Sequence, residues 1–157
     1  MADVKAIPDG YPQVIPYLCV NGAEAAIAFY SDVLGASERL RMAAPGGMIG
    51  HAELELGDSL IMLSDESPEM GQRSPKTVGG TPVTLSVYCE DVDDVFSKAV
   101  AAGATVVQAV ETQFYGDRSG QFEDPFGHRW NVSSHVEDVP PDEIERRAAE
   151  MMNQPGG

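Results

Sequence analysis

VIPYLCV at residues 14–20, AEAAIAFYSDVLGA at 23–36 and GHAELELGDSLIML at 50–63 are followed later in the chain by VTLSVYC at 83–89, DVDDVFSKAVAAGA at 91–104 and SGQFEDPFGHRWNV at 119–132. A strand, helix and hairpin pattern thus occurs over residues 14–64 and again over 82–134. Repetition on this scale implies two modules joined in one body, and paired modules leave a shared cleft where function is to be sought.

Each module reads consistently from within. Strand residues Val14 to Val20 end at the turn signal Asn21-Gly22. The helix that follows puts Ala23, Ile27, Tyr30 and Leu34 on one face and stops at Gly35. Its counterpart aligns Val92, Val95, Phe96 and Ala99 and stops at Gly103. Asp91 reads as the helix cap, with Asp93 and Asp94 as first-turn acids rather than a cation site. Between Met48 and Ser64 the period becomes two, with Gly57-Asp58 at a hairpin turn. Counting outward opposes Leu56 to Ser59, Leu54 to Ile61, Glu53 to Met62 and His51 to Ser64. Ala52, Leu54, Leu56, Ile61 and Leu63 then pack under the helices. His51, Glu53, Glu55, Leu60, Met62 and Ser64 form the other face, which reads as the wall of a solvated cleft.

The domain plan is a single domain over 1–157, with a first module at 11–64, a linker at 65–81, a second module at 82–139 and a helix at 140–152. Residues 1–13 read as a loose arm without chemistry. In the last helix Ile144, Ala148 and Met151 share a stripe, and Asp142–Arg146 and Glu143–Arg147 are spaced as ion pairs; the ending NQPGG reads as loose.

With 157 residues the chain suffices for one compact domain burying roughly 70% of its unfolded surface. Ten Lys and Arg against 25 Asp and Glu give a net charge of −15, which repels nucleic acid and anionic membrane surfaces alike. No apolar run reaches membrane-spanning length, and the opening MADVKAIPDGYPQ lacks the layout of a signal peptide, so a cytoplasmic location is expected. Cys19 and Cys89 read as small thiols in apolar strands rather than a disulfide.

AIAFYSDVLGA and EDPFGHRWNV resemble the vicinal oxygen chelate superfamily of glyoxalases, bleomycin-resistance proteins and extradiol dioxygenases, and QFYGDRSGQFEDPFGHRWNVSSHVEDV resembles its PhnB-like branch. The resemblance spans about residues 11–139 and implies an α+β fold of two βαβββ modules whose curved sheets make a partly open barrel around a cleft, in a homodimer. Metal-dependent members draw ligands from the first and last strands of each module. With Phe29-Tyr30, Gly35, Gly57, Gly103 and Gly127 as anchors, those positions fall on Ile15, Met62, Thr84 and Asn131. An alkyl group, a thioether, a hydroxyl and an amide are not a divalent-metal set, so neither metal nor other cofactor is expected.

Other residues carry candidate chemistry. His51 and Glu53 lie two apart on one strand: a base and its orienting acid, two ligands of a displaced metal site completed by His135, or a wetted polar face. Tyr17 points into the first half of the cleft or into the core, and Met62 offers an adaptable apolar wall. In the loop Phe114–Gly120, Arg118 is placed to clamp a carboxylate or phosphate and Tyr115 to stack on a planar ligand, unless Asp117 and Arg118 merely hold the loop closed. His128 reads as a turn residue bonding backbone, and Trp130 as core.

These readings lead to a binder of a small aromatic or anionic molecule without the usual metal, through Tyr17, His51, Glu53, Met62, Thr84, Tyr115, Arg118 and Asn131. The alternatives are a metal-dependent lyase, isomerase or dioxygenase, and an interaction domain with no working cleft.

Overall fold

The computed structural model describes residues 3–156; residues 1–2 of the arm and Gly157 lie outside the described residues. The chain divides into two compact units. One takes the chain up to Pro82 together with Pro125–His128, and the other takes Val83–Asp124 and the chain from Arg129 onward.

The first unit runs β1 (Tyr17–Val20), α1 (Ala23–Leu34), β2 (Ser37–Ala44), β3 (Met48–Leu56) and β4 (Ser59–Asp65). Its sheet has the order β1-β4-β3-β2, with β1 parallel to β4 and the other pairs antiparallel. This is the βαβββ order expected. The β3–β4 register matches the turn-based count, with Leu56 opposite Ser59, Leu54 opposite Ile61 and Glu53 opposite Met62. Ala52, Leu54, Ile61 and Leu63 are buried, as are Ala26, Ile27, Phe29, Tyr30 and Val33 of α1. Burying each large apolar side chain contributes about 1.5–3 kcal/mol.

Asp65 ties this unit together. Its Oδ1 accepts from the backbone N–H of Gly22 at 3.0 Å and Ala23 at 2.8 Å, and its Oδ2 accepts from Ile49 N–H at 2.8 Å. One carboxylate thus satisfies two of the free donors at the start of α1 and anchors β3. Asp65 is the last residue of β4 and so belongs to the sheet rather than to the connection after it. That connection is itself structured, with a 3-10 turn at Pro68–Met70 and a short helix, α2 (Pro75–Val78), capped by Ser74.

Two expectations for this unit need correction. The face opposite the helix is not broadly solvated, because Glu53, Leu60 and Ser64 are all buried. The N-terminal arm is not idle: Tyr11 binds Glu53 and covers it. The tip Pro125–His128 adds Phe126, edge-on to Phe29 and Tyr30, and His128, whose Nε2 lies 3.0 Å from the Cys19 carbonyl as a turn histidine bonding backbone should.

The second unit runs β5 (Thr84–Tyr88), α3 (Val92–Ala101), β6 (Thr105–Thr112), β7 (Asp117–Glu123), β8 (Arg129–His135) and α4 (Pro141–Asn153), with sheet order β5-β8-β7-β6. Asp91 caps α3 by accepting from Asp94 N–H at 3.1 Å. Trp130 is 2% exposed, and its Nε1 donates to Asp124 at 2.9 Å. The expected loop Phe114–Gly120 is shorter than read, because Asp117 to Gly120 already pair in β7. In α4, Arg147 pairs with Glu143 as expected, but Arg146 turns to Glu143 and Glu150 rather than Asp142. Arg147 also holds Glu137 and the Phe114 carbonyl, which fixes α4 to the rest of the unit. Among the described residues no helix is long and apolar enough to cross a membrane. Cys19 and Cys89 are free, with burial first among the causes that push both thiols up.

Candidate functional site

Across β1, β4 and β3 the register sets Tyr17 beside Met62 and Met62 beside Glu53, so the three share one face of the first sheet. His51, two residues before Glu53 on β3, joins them. The Tyr17 hydroxyl lies 2.9 Å from His51 Nδ1, and His51 Nε2 lies 3.2 Å from Glu53 Oε1. The Tyr17 and His51 rings sit 5.5 Å apart and tilted by 36°.

Behind this chain, Glu53 is clamped from two sides. Arg39 Nε donates to Oε2 at 2.9 Å, and the Tyr11 hydroxyl reaches both carboxylate oxygens at 3.1 and 3.0 Å. The Arg39 guanidinium also stands 4.4 Å from the centre of the Tyr11 ring and donates to the Gly10 carbonyl at 3.3 Å. Arg39 is placed by a bulge in β2: Glu38 pairs with Leu54 and Leu40 with Glu53, leaving Arg39 as the extra residue. A bulge re-aims a side chain, here onto the carboxylate.

Glu53 is 3% exposed, whereas Tyr17 is 45% exposed. Burial alone would push the Glu53 carboxyl up, yet the bonds from His51, Arg39 and Tyr11 together hold it below the usual carboxylate range. The result is a fixed anion at the base of a polar chain whose far end is open. Such a chain can orient a planar molecule against the two rings or relay a proton between Tyr17 and His51. The arm beside it forms an open cavity of about 400 Å³, lined by Ile7, Pro8, Tyr11, Pro12 and Ile15 among others.

In the second unit Asn131 stands beside Ser86, and its Nδ2 donates to Ser86 Oγ at 3.0 Å and Ser133 Oγ at 3.3 Å. Thr84, exposed at the start of β5, shares that face two residues before Ser86. Further along it, buried Asp117 accepts from the Tyr88 hydroxyl at 2.7 Å and lies 2.7 Å from His135 Nδ1, while His135 Nε2 lies 2.8 Å from Asp138. The two carboxylates, Asp117 first, push the His135 pKa up, and Asp117 raises that of Tyr88. An open cavity of about 490 Å³ is lined by Tyr88, Cys89, Glu90, Ser134 and His135.

Of the residues singled out in the sequence, Tyr17, His51, Glu53 and Met62 come together in the first unit, and Thr84 and Asn131 share a face in the second. Tyr115 lies in the turn before β7, edge-on to Phe114 at 5.2 Å. Arg118 is elsewhere: it alternates with Asp117 along β7 and forks onto Asp93 of α3, Nε to Oδ2 at 2.8 Å and Nη2 to Oδ1 at 2.9 Å. Tyr11 and Arg39 were not legible as site residues, and neither were Tyr88 and Asp117. Arg39 sits in an exposed strand without periodicity, and Tyr11 sits 42 positions from the carboxylate that it meets.

The residues that the resemblance puts at the superfamily's metal positions are a poor donor set for a divalent ion, and Ile15 precedes β1 rather than lying on it. Ile15 has no donor atom, Met62 offers a thioether, Thr84 a neutral hydroxyl and Asn131 a neutral amide oxygen. Of the substitute set, His51 and Glu53 belong to the first unit and His135 to the second. Among the described residues no three His, Cys, Asp or Glu side chains gather as a metal-ion site.

Comparison with known proteins agrees with this architecture. The family model described as Glyoxalase/Bleomycin resistance protein/Dioxygenase superfamily matches residues 12–132. An uncharacterized protein of Mycobacterium tuberculosis is 43% identical over 149 residues, covering 93% of this chain and 86% of that protein. Among solved structures, TioX from Micromonospora sp. ML1 is 27% identical with a TM-score of 0.61, covering 80% of this chain and 99% of that one. A gene product from Arabidopsis thaliana is 26% identical with a TM-score of 0.63, covering 81% and 99%. The repeated βαβββ units and the match over residues 12–132 lead to one statement: the chain belongs to the Glyoxalase/Bleomycin resistance protein/Dioxygenase superfamily.

Proposed function

We propose that this protein binds a small planar molecule at the Tyr17–His51 pair on its first sheet, without a metal, in the manner of a binding member of its superfamily. The observation that carries the reading is the Tyr17–His51 ring pair, exposed at Tyr17 and half-buried at His51, backed by a buried Glu53 and flanked by Met62. Aromatic faces and a polarisable thioether suit a planar apolar body, and the hydroxyl and imidazole supply directional contacts. The anionic alternative draws less support. Arg118 is held by Asp93, and Arg39 is held by Glu53 and Glu55. Within the superfamily we assign the chain to the PhnB-like branch, on the motif running from Gln113 to Val139.

The test is a titration with 2-naphthol followed by NMR. Saturable shifts of the Met62 methyl and the His51 ring, lost in Tyr17→Ala, support the reading. Shifts confined to the Thr84–Asn131 face, or no saturation up to the solubility limit, overturn it. A stoichiometric metal that elemental analysis finds in the purified protein, and that His51→Ala releases, would instead favour a metal-dependent enzyme.

A further inference from the structure

We infer that Tyr11 and Arg39 are positioning residues that lock His51 in its Nε2–H tautomer, so that Tyr17 meets a ligand as a hydrogen-bond acceptor and selects molecules that carry a donor. This deepens the binding reading above and rests on it. It decides between two kinds of planar ligand that ring stacking alone would treat alike.

Glu53 receives donors on both oxygens from a guanidinium and a phenol, out of contact with solvent. Arg39 keeps its charge at any working pH, so the carboxylate opposite it stays ionised and has no proton to give. The 3.2 Å contact between Glu53 Oε1 and His51 Nε2 is attractive only if the imidazole carries its proton there. A neutral imidazole then presents a bare Nδ1, and the Tyr17 hydroxyl 2.9 Å away donates to it. With its one proton committed inward, the phenol turns only lone pairs to the outside, where 45% of the residue is exposed. A phenol, enol or amide N–H on the ligand is therefore matched. An ether, or a carboxylate that needs a donor, is not.

The clamp explains features that a merely structural carboxylate would not need. A single Arg would satisfy the charge of Glu53. The added Tyr11 bond, brought by an arm 42 residues distant, gives the carboxylate a second donor beside Arg39, while the His51 ring meets Oε1. The β2 bulge that delivers Arg39 serves the same end.

Long-range 1H–15N correlation of the histidine rings at about pH 8, where an ordinary imidazole is neutral, reads the tautomer directly in the free protein. His51 is assigned by its loss in His51→Gln. The expected pattern is a protonated Nε2 and a bare Nδ1, with Glu53→Gln shifting the population toward Nδ1–H and Arg39→Lys retaining the original state. A wild-type Nδ1–H form overturns the inference whether or not any ligand binds.

The ligand arm compares 2-naphthol with 2-methoxynaphthalene and 2-naphthoate. The naphthol is expected to bind about tenfold tighter than either, a preference that Tyr17→Phe abolishes. Equal binding of naphthol and its methyl ether at the Tyr17–His51 pair refutes the inference while leaving the binding reading intact. Failure of all three to bind refutes the binding reading and the ligand preference with it, while the tautomer still reports on the clamp.

Discussion

Arg39 and Glu53 form an ion pair with Nε 2.9 Å from Oε2, in which the carboxylate side chain is 4% exposed and the guanidinium side chain 25%. Truncating one partner of a buried pair leaves the other uncompensated, so Glu53→Gln should cost about 2–3 kcal/mol at neutral pH. The folded pKa of Glu53 lies below its ordinary value near 4.5. The pair's stabilisation is therefore fully present above that value and fades as pH falls through the folded pKa. Urea midpoints of wild type and Glu53→Gln measured across acid pH should differ at neutrality and converge in acid. A constant gap would show that the carboxylate's charge is not what stabilises.

Tyr11→Phe removes one hydroxyl and keeps the ring under the guanidinium. The expected loss is about 1 kcal/mol. The larger effect should be local, because the arm's ties to the sheet run through Tyr11 and the Gly10 carbonyl. Amide hydrogen exchange over residues 3–13 should accelerate while α1 stays protected; unchanged exchange in the arm would mean that the latch lies elsewhere.

Asp65→Ala should be among the most damaging single changes in the first unit. Three backbone N–H groups lose their acceptor, two of them at the start of α1, and a cost of about 2–4 kcal/mol is expected by denaturant unfolding. Asp65→Asn, which keeps one acceptor oxygen, should recover part of this. Equal losses for the two variants would point to charge rather than hydrogen bonding.

Gly116 has φ +105° and sits where a Cβ would stand 2.1 Å from the Glu137 carbonyl oxygen. Gly116→Ala should lower stability by about 2 kcal/mol or more, since backbone must move on both sides. Gly57, with φ +59° and open space within 4 Å of where a Cβ would stand, is the control. Gly57→Ala should cost only about 1–2 kcal/mol, from the left-handed backbone alone. Thermal unfolding of the two variants separates steric clash from backbone strain.

What the sequence disclosed follows from where its signals are local. Gly57-Asp58 between two alternating runs sets the β3–β4 register, and with it the neighbours Glu53 and Met62. Tyr17, His51 and Glu53 are legible because each lies on a strand whose facing can be counted. Arg39 is not, because a bulge breaks the count at the position that matters. The fork of Arg118 onto Asp93 escapes for a different reason. Asp93 is indeed a first-turn acid of α3, but its place in the helix says nothing about which strand residue stands opposite it. The burial of Glu53 is also beyond reach, since it depends on an arm that carries no periodic pattern at all.

Pro125, Phe126, Gly127 and His128 group with the first unit although the strands on either side of them group with the second. The duplication written in the sequence is therefore not a severable one. Cutting the gene after residue 82 would deliver a leading fragment deprived of Phe126 against Phe29 and Tyr30, and of the imidazole that meets the Cys19 carbonyl. The leading piece would be incomplete when made alone, which ties the fate of the first repeat to the second in synthesis, in degradation and in any further divergence.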